Sequence, residues 1–180
     1  DLQPGNSLVQ YVVGEGHTEF MISWRNVPPE LGSLTWDDYI ETGIFEALAA
    51  VKAIAGARSC NVLGFCVGGT LLAGALAVLA ARGDTSVASA TYLTTMLDYA
   101  DPGQIGVYVD EAALASREPA LLGGERIDGS ELAGAFASLR ANELVWSFVI
   151  NNYLKGRTPP AFDLLYWNSD SANLPGPMYV

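Results

Sequence analysis

A strand-like run, Cys60-Asn61-Val62-Leu63, passes through Gly64-Phe65-Cys66-Val67-Gly68-Gly69 into the small and apolar run Thr70 to Ala77. This layout predicts a nucleophile elbow, with cysteine in the place usually held by serine. The nucleophile of an elbow sits on a sharp, strained turn between a strand and a helix. A positive φ is therefore expected at Cys66, which is uncommon for a residue other than glycine. Gly64 and Gly68, two residues before and after Cys66, are expected to let the turn close without side-chain clashes, with Gly69 completing the glycine-rich elbow. The start of the helix would aim backbone N–H groups and a positive dipole end at the sulfur. That setting favours thiolate over thiol. The Val67 backbone N–H, directly after the nucleophile, is placed to bind a developing oxyanion.

Buried, inert cysteines are common, and a Gly-x-Cys-x-Gly string arises by chance. The flanking strand and helix patterns move the reading of Cys66 to a catalytic nucleophile. Cys60 takes the opposite reading, simple core packing at the base of the strand. Six residues of strand would separate the two cysteines by roughly 20 Å, far beyond bridging distance. With no disulfide framework, a reducing cytoplasm fits best.

Composition narrows the class further. A chain of 180 residues that is 50% hydrophobic and 16% charged suits one globular domain with a sizeable core. Nine basic residues against 20 acidic give a net charge of −11, which argues against a nucleic-acid partner. The most apolar stretch, Thr70 to Ala81, is too short to span a membrane. The chain begins at Asp1 without a methionine and ends in Pro175-Gly176-Pro177-Met178-Tyr179-Val180, an apolar, turn-rich passage. It reads as an internal fragment of a longer protein, so the lack of a visible signal peptide carries little weight. No metal site is expected.

Along the chain, a helix is expected from near Ser7 through Tyr11-Val12-Val13, then a strand over Thr18–Trp24. Pro28-Pro29 and Gly32-Ser33 make a loop. Thr35 caps a helix with Asp37 and Asp38 in its first turn and apolar residues at Ile40, Ile44, Leu48 and Val51. The elbow strand at about 60–65, a helix to Arg82-Gly83 and a strand over Ala88–Leu97 follow. This alternation predicts an α/β fold with a parallel sheet. After Asp98 the pattern changes, and from about Gly103 to Gly156 it reads as helices and loops without clear strands, with helices near Tyr108–Ser116, Glu131–Leu139 and Leu144–Asn152. A partial core over residues 1–102 and a helical cap or insertion over 103–180 are expected.

Candidate side chains outside the elbow are few. His17 is the only histidine and precedes the nucleophile, so it is expected to be structural. Asp98 ends the strand after the elbow and is expected to cap the following turn rather than serve as an acid. Arg25, Lys155 and Arg157 read as solvated surface charge, with anionic phosphates as the alternative partner. Phe162, Tyr166 and Trp167 would line a channel, form an interface or fill the cap core.

Several longer stretches carry a family resemblance. Ser23-Trp24-Arg25-Asn26, Thr35-Trp36-Asp37-Asp38-Tyr39-Ile40, Asn61 to Thr70, Asn151-Asn152-Tyr153-Leu154-Lys155-Gly156 and Asn173-Leu174-Pro175-Gly176-Pro177 resemble polyhydroxyalkanoate synthases. The Phe65-Cys66-Val67 form of the elbow resembles class I, the type that uses short-chain hydroxyacyl groups and makes poly-3-hydroxybutyrate. The elbow by itself is also similar to that of dienelactone hydrolases. The resemblance to the synthases covers essentially the whole chain.

That resemblance implies an acyltransferase with an α/β-hydrolase-type core. Such an enzyme polymerises (R)-3-hydroxyacyl-CoA, here 3-hydroxybutyryl-CoA, into a polyester and releases CoA through a covalent acyl-enzyme. It further implies a homodimer in the cytoplasm at the surface of storage granules. The CoA thioester is the substrate, so no cofactor is implied. The family's catalytic set is cysteine, aspartate and histidine. Only the cysteine carries over, onto Cys66; the other two are expected C-terminal to Val180, so residues 1–180 alone are expected to be inactive. A cysteine-dependent esterase of the dienelactone-hydrolase type and a non-catalytic granule scaffold are the alternatives.

Overall fold

The computed structural model describes residues 5–108, 110–159 and 171–180. Phe162, Tyr166 and Trp167 lie outside the described residues. Contacts divide the chain into two units. One comprises residues 5–25 and 37–97; the other comprises 26–36 with the described residues from 98 onward.

In the first unit, helix α1 spans Leu8–Gly14, and the Ser7 side chain caps it by accepting from the Gln10 N–H at 3.0 Å. The strand expected over Thr18–Trp24 is not formed; this stretch has no regular secondary structure. A strand needs a hydrogen-bonded neighbour, and β1 below takes its described neighbour from the chain after the elbow. The helix expected after Thr35 is present as α2 (Trp36–Asp38), a π-helical stretch Tyr39–Phe45 and α3 (Glu46–Ala55). Ile40, Ile44 and Leu48 are its buried residues, as their spacing requires. It stops at Gly56, whose φ of 64° is the left-handed C-terminal cap.

Strand β1 (Cys60–Phe65) pairs in parallel with β2 (Val87–Leu93), with Val62 opposite Ala90 and Phe65 opposite Leu93. Helix α4 (Val67–Ala81) connects them and contacts β1, β2 and the π-helical stretch. Leu71, Leu72, Ala75 and Leu79 of α4 are buried. Burying each leucine contributes about 1.5–3 kcal/mol. Strand β2 ends at Leu93, short of the expected Leu97. At the far end of α4, Arg82 pairs with Glu41 at 2.7 Å and lies over the Phe45 ring at 5.1 Å. A pair this exposed contributes at most about 1 kcal/mol.

The second unit holds α5 (Glu111–Leu122), β3 (Arg126–Ile127), α6 (Gly129–Leu139), π-helical stretches Asn142–Trp146 and Val149–Leu154, β4 (Leu174–Pro175) and α7 (Gly176–Tyr179). Asp110 caps α5 by accepting from the Ala112 N–H at 3.0 Å, so this helix begins later than Tyr108. The expectation of no clear strand between about Gly103 and Gly156 is corrected by β3, which pairs antiparallel with β4. Two-residue strands are too short to show any alternation. Asn173 ties the unit together. Its N–H donates to Asn26 Oδ1 at 2.9 Å, and its own Oδ1 accepts from the Gly129 N–H at 3.0 Å. The Val27 carbonyl accepts from Arg126 at 3.1 Å. Val27, Leu121, Ile127 and Met178 form the buried core here. Among the described residues, no helix is long and apolar enough to cross a membrane.

Candidate active site

Cys66 sits between the last residue of β1 and the first residue of α4 with φ 53° and ψ −129°. The positive φ is the one expected of an elbow, and holding it costs about 1–3 kcal/mol. Three hydrogen bonds hold the turn. The Cys66 N–H donates to the Leu93 carbonyl at 3.0 Å, which extends the parallel ladder one step past the strand. The Cys66 carbonyl accepts from the Gly69 N–H at 2.9 Å and from the Thr70 N–H at 3.3 Å, which opens α4. The cysteine is exposed.

The glycines around it divide unequally. Gly64 is buried, and a Cβ there would stand 2.5 Å from Gly69 Cα and 3.1 Å from Leu72 Cδ2. A Cβ on Gly69 would stand 2.8 Å from Thr95 Cβ. Gly68 differs from expectation: among the described residues nothing lies within 4 Å of a Cβ built there. The close approach of helix to strand therefore depends on Gly64 and Gly69, because Gly68 lies on the outer side of the first turn of α4. Val67 is the first residue of α4, with a half-exposed side chain.

Three threonines that sequence reading did not single out surround this turn. Thr94 has φ 46°. The Thr95 hydroxyl donates to the Leu93 carbonyl at 3.1 Å. The Thr70 hydroxyl donates to the Met96 carbonyl at 2.8 Å. Thr94-Thr95 reads as strand because β-branched residues suit a pleated surface. Its own composition carries no sign of the turn.

Cys60 lies at the other end of β1, half-buried, with Sγ 3.8 Å from the Ser86 carbonyl. Both cysteines are free thiols. Nearby, hydrogen bonds from Ser86 hold the Asp84 carboxyl below its usual value. The Asp98 Oδ1 accepts from the Ala100 N–H at 2.9 Å, the turn-capping role expected of it. His17 is exposed, and its N–H donates to the Val12 carbonyl at 3.3 Å, closing the end of α1. Among the described residues no hydrogen bond links His17 to Cys66. Arg25, Lys155 and Arg157 are exposed.

Cys66 is thus an exposed thiol on a strained turn between a parallel strand and a helix. The alpha/beta hydrolase fold family matches residues 3–180. The chain belongs to the α/β-hydrolase fold family. The chain is 53% identical to the poly(3-hydroxyalkanoate) polymerase subunit PhaC of Cupriavidus necator, over 99% of this chain and 31% of that protein. It is 44% identical to the subunit of the same name from Rhizobium meliloti, over 97% of this chain and 29% of the relative. It is 39% identical to poly(3-hydroxyalkanoate) polymerase 2 of Ectopseudomonas oleovorans, over 99% of this chain and 32% of the relative. The chain thus spans about a third of the length of these relatives.

Proposed function

We propose that this chain carries the nucleophile of an acyltransferase that polymerises (R)-3-hydroxyacyl-CoA into polyhydroxyalkanoate. The carrying observation is Cys66: an exposed thiol at a positive-φ elbow, in a chain 53% identical over 99% of its length to a poly(3-hydroxyalkanoate) polymerase subunit. In this reading the Cys66 thiolate attacks the thioester carbonyl of the substrate. A new S–C bond forms, the bond to the CoA sulfur breaks, and CoA leaves as a thiolate. The exchange of one thioester for another is nearly balanced in energy, so the acyl group stays activated. The Val67 N–H donates to the developing oxyanion. The hydroxyl of a second hydroxyacyl group then attacks the acyl-enzyme, forming an ester and releasing the Cys66 sulfur. The proton of that hydroxyl goes to a general base, which is not assigned to a residue of this chain. The CoA thioester supplies the activation, so the scheme calls on no cofactor. Assembly as a homodimer at a polymer granule belongs to the same proposal.

The test uses the full-length protein with 3-hydroxybutyryl-CoA, following CoA release and polymer. Wild type and Cys60→Ala should both make polymer. Cys66→Ala should lose at least about a thousandfold in rate. Polymer made by Cys66→Ala would overturn the proposal. CoA release without polymer would move the assignment to a cysteine-dependent esterase.

A further inference from the structure

The last paired rung of the sheet is Phe65 opposite Leu93. The residue after each of these, Cys66 and Thr94, has a positive φ, 53° and 46°; among the described residues no other non-glycine residue does. Both strands thus leave the sheet through strained turns at the same level. Strain of this kind persists only where the surroundings over-determine it. Threonine, being β-branched, is an unfavourable residue for positive φ, so something must hold the second turn in place.

Thr95 meets that need from two directions. Its hydroxyl donates to the Leu93 carbonyl at 3.1 Å, and the same carbonyl accepts the Cys66 N–H at 3.0 Å. A carbonyl oxygen has two lone pairs and can accept both. Its side chain fills the space beside Gly69, where an added Cβ would meet the Thr95 hydroxyl oxygen first and come within 2.7 Å of Thr95 Cγ2 and 2.8 Å of Thr95 Cβ. Thr95 is half-buried in this position. From the first turn of α4, the Thr70 hydroxyl reaches the Met96 carbonyl at 2.8 Å and ties the Thr95 segment to the helix. One side chain therefore touches both anchors of Cys66: the carbonyl that accepts its N–H, and the helix start whose N–H groups donate to its carbonyl.

We propose that Thr95 is a positioning residue for Cys66, holding the Leu93 carbonyl and the start of α4 so that the sulfur is presented in one orientation. The proposal rests on Cys66 acting as the nucleophile. Without the hydroxyl, the Leu93 carbonyl keeps only one of its two donors, and the Cys66 N–H anchor can shift. A misplacement of about 1 Å at a reacting atom costs up to about a hundredfold in rate.

The experiment compares Thr95→Val, which keeps the shape and removes the hydroxyl, with Thr95→Ser, which keeps the hydroxyl. Both are made in the full-length protein. One readout is the ratio of iodoacetamide labelling rates at Cys66 and Cys60 by peptide mapping. The other is kcat and KM for CoA release from 3-hydroxybutyryl-CoA. Thr95→Val should lower kcat by about tenfold to a hundredfold with KM within about twofold. It should also lower the Cys66-to-Cys60 labelling ratio by about fivefold. Thr95→Ser should keep both within about threefold of wild type. Wild-type behaviour of Thr95→Val in both readouts would overturn the proposal. So would equal losses in the two variants with faster labelling of Cys60, the mark of a loosened fold. A wild type that releases no CoA, combined with a labelling ratio that still falls in Thr95→Val, would remove the polymerase reading and leave the positioning role standing.

Discussion

The two ends of β1 carry the same side chain in two different settings. Cys60 and Cys66 each donate a backbone N–H across the sheet, to the Ser86 carbonyl at 2.9 Å and the Leu93 carbonyl at 3.0 Å. Cys60 is half-buried within the strand, with its sulfur held near the carbonyl its own N–H binds. Cys66 follows the strand with φ 53° and is exposed. Neither residue type nor ladder bonding separates the two. The difference is one backbone rotation, and that rotation is possible because Gly64 and Gly69 let α4 approach β1 closely. The exposure of the Cys66 thiol is therefore a property of the turn.

The largest effect expected comes from closing that approach. Gly64→Ala places a methyl 2.5 Å from Gly69 Cα, a backbone atom that cannot swing away. Overpacking of this kind costs about 1–3 kcal/mol. A urea midpoint should fall accordingly, and Cys66 labelling should fall towards that of Cys60. Gly68→Ala should be neutral or stabilising by up to about 1 kcal/mol, since a helical alanine has open space there. Equal destabilisation by the two substitutions would break the account of the turn.

A smaller effect tests the two thiols directly. Brief iodoacetamide treatment of the wild-type protein should modify Cys66 about tenfold faster than Cys60, from exposure and placement at a helix start. Equal rates by peptide mapping would remove the distinction between the two ends.

The smallest effect concerns the support behind α4. Tyr39, in the π-helical stretch that contacts α4, stacks near Trp24 with ring centroids 5.3 Å apart. Burial raises its hydroxyl above the usual phenol value. The stability linked to this group is fully present below about pH 10. As pH rises further, the unfolded chain loses the proton first, so stability falls through the range up to the folded-state value. Tyr39→Phe should flatten this part of the alkaline decline in the urea midpoint. An unchanged slope would show that Tyr39 does not share in it.

Legibility in the sequence also differs between regions. The span from Trp36 to Leu93 follows local rules. Ile40, Ile44 and Leu48 repeat at helical spacing, and the small-residue run after the elbow forms α4 as expected. The segment Thr18–Trp24 has the composition of a strand, but composition supplies no neighbour. The second unit was less legible. Asn26, Gly129 and Asn173 stand far apart in the chain, yet Asn26 Oδ1 accepts from the Asn173 N–H and Asn173 Oδ1 accepts from the Gly129 N–H. Two-residue β3 and β4 leave no periodic trace.

From the sequence alone came the α/β class, the elbow with its strained Cys66, the separation of the two cysteines, and the turn-capping role of Asp98. These rest on periodicity and turn chemistry, which neighbouring residues encode among themselves. Tertiary structure decided that Gly69 rather than Gly68 meets a side chain, that β2 stops at Leu93, and that Thr95 braces the elbow. Each of these depends on which atoms arrive from a distant part of the chain. Gly69 and Thr95 meet because β2 returns beside β1 after the whole length of α4. A local pattern carries no record of that return.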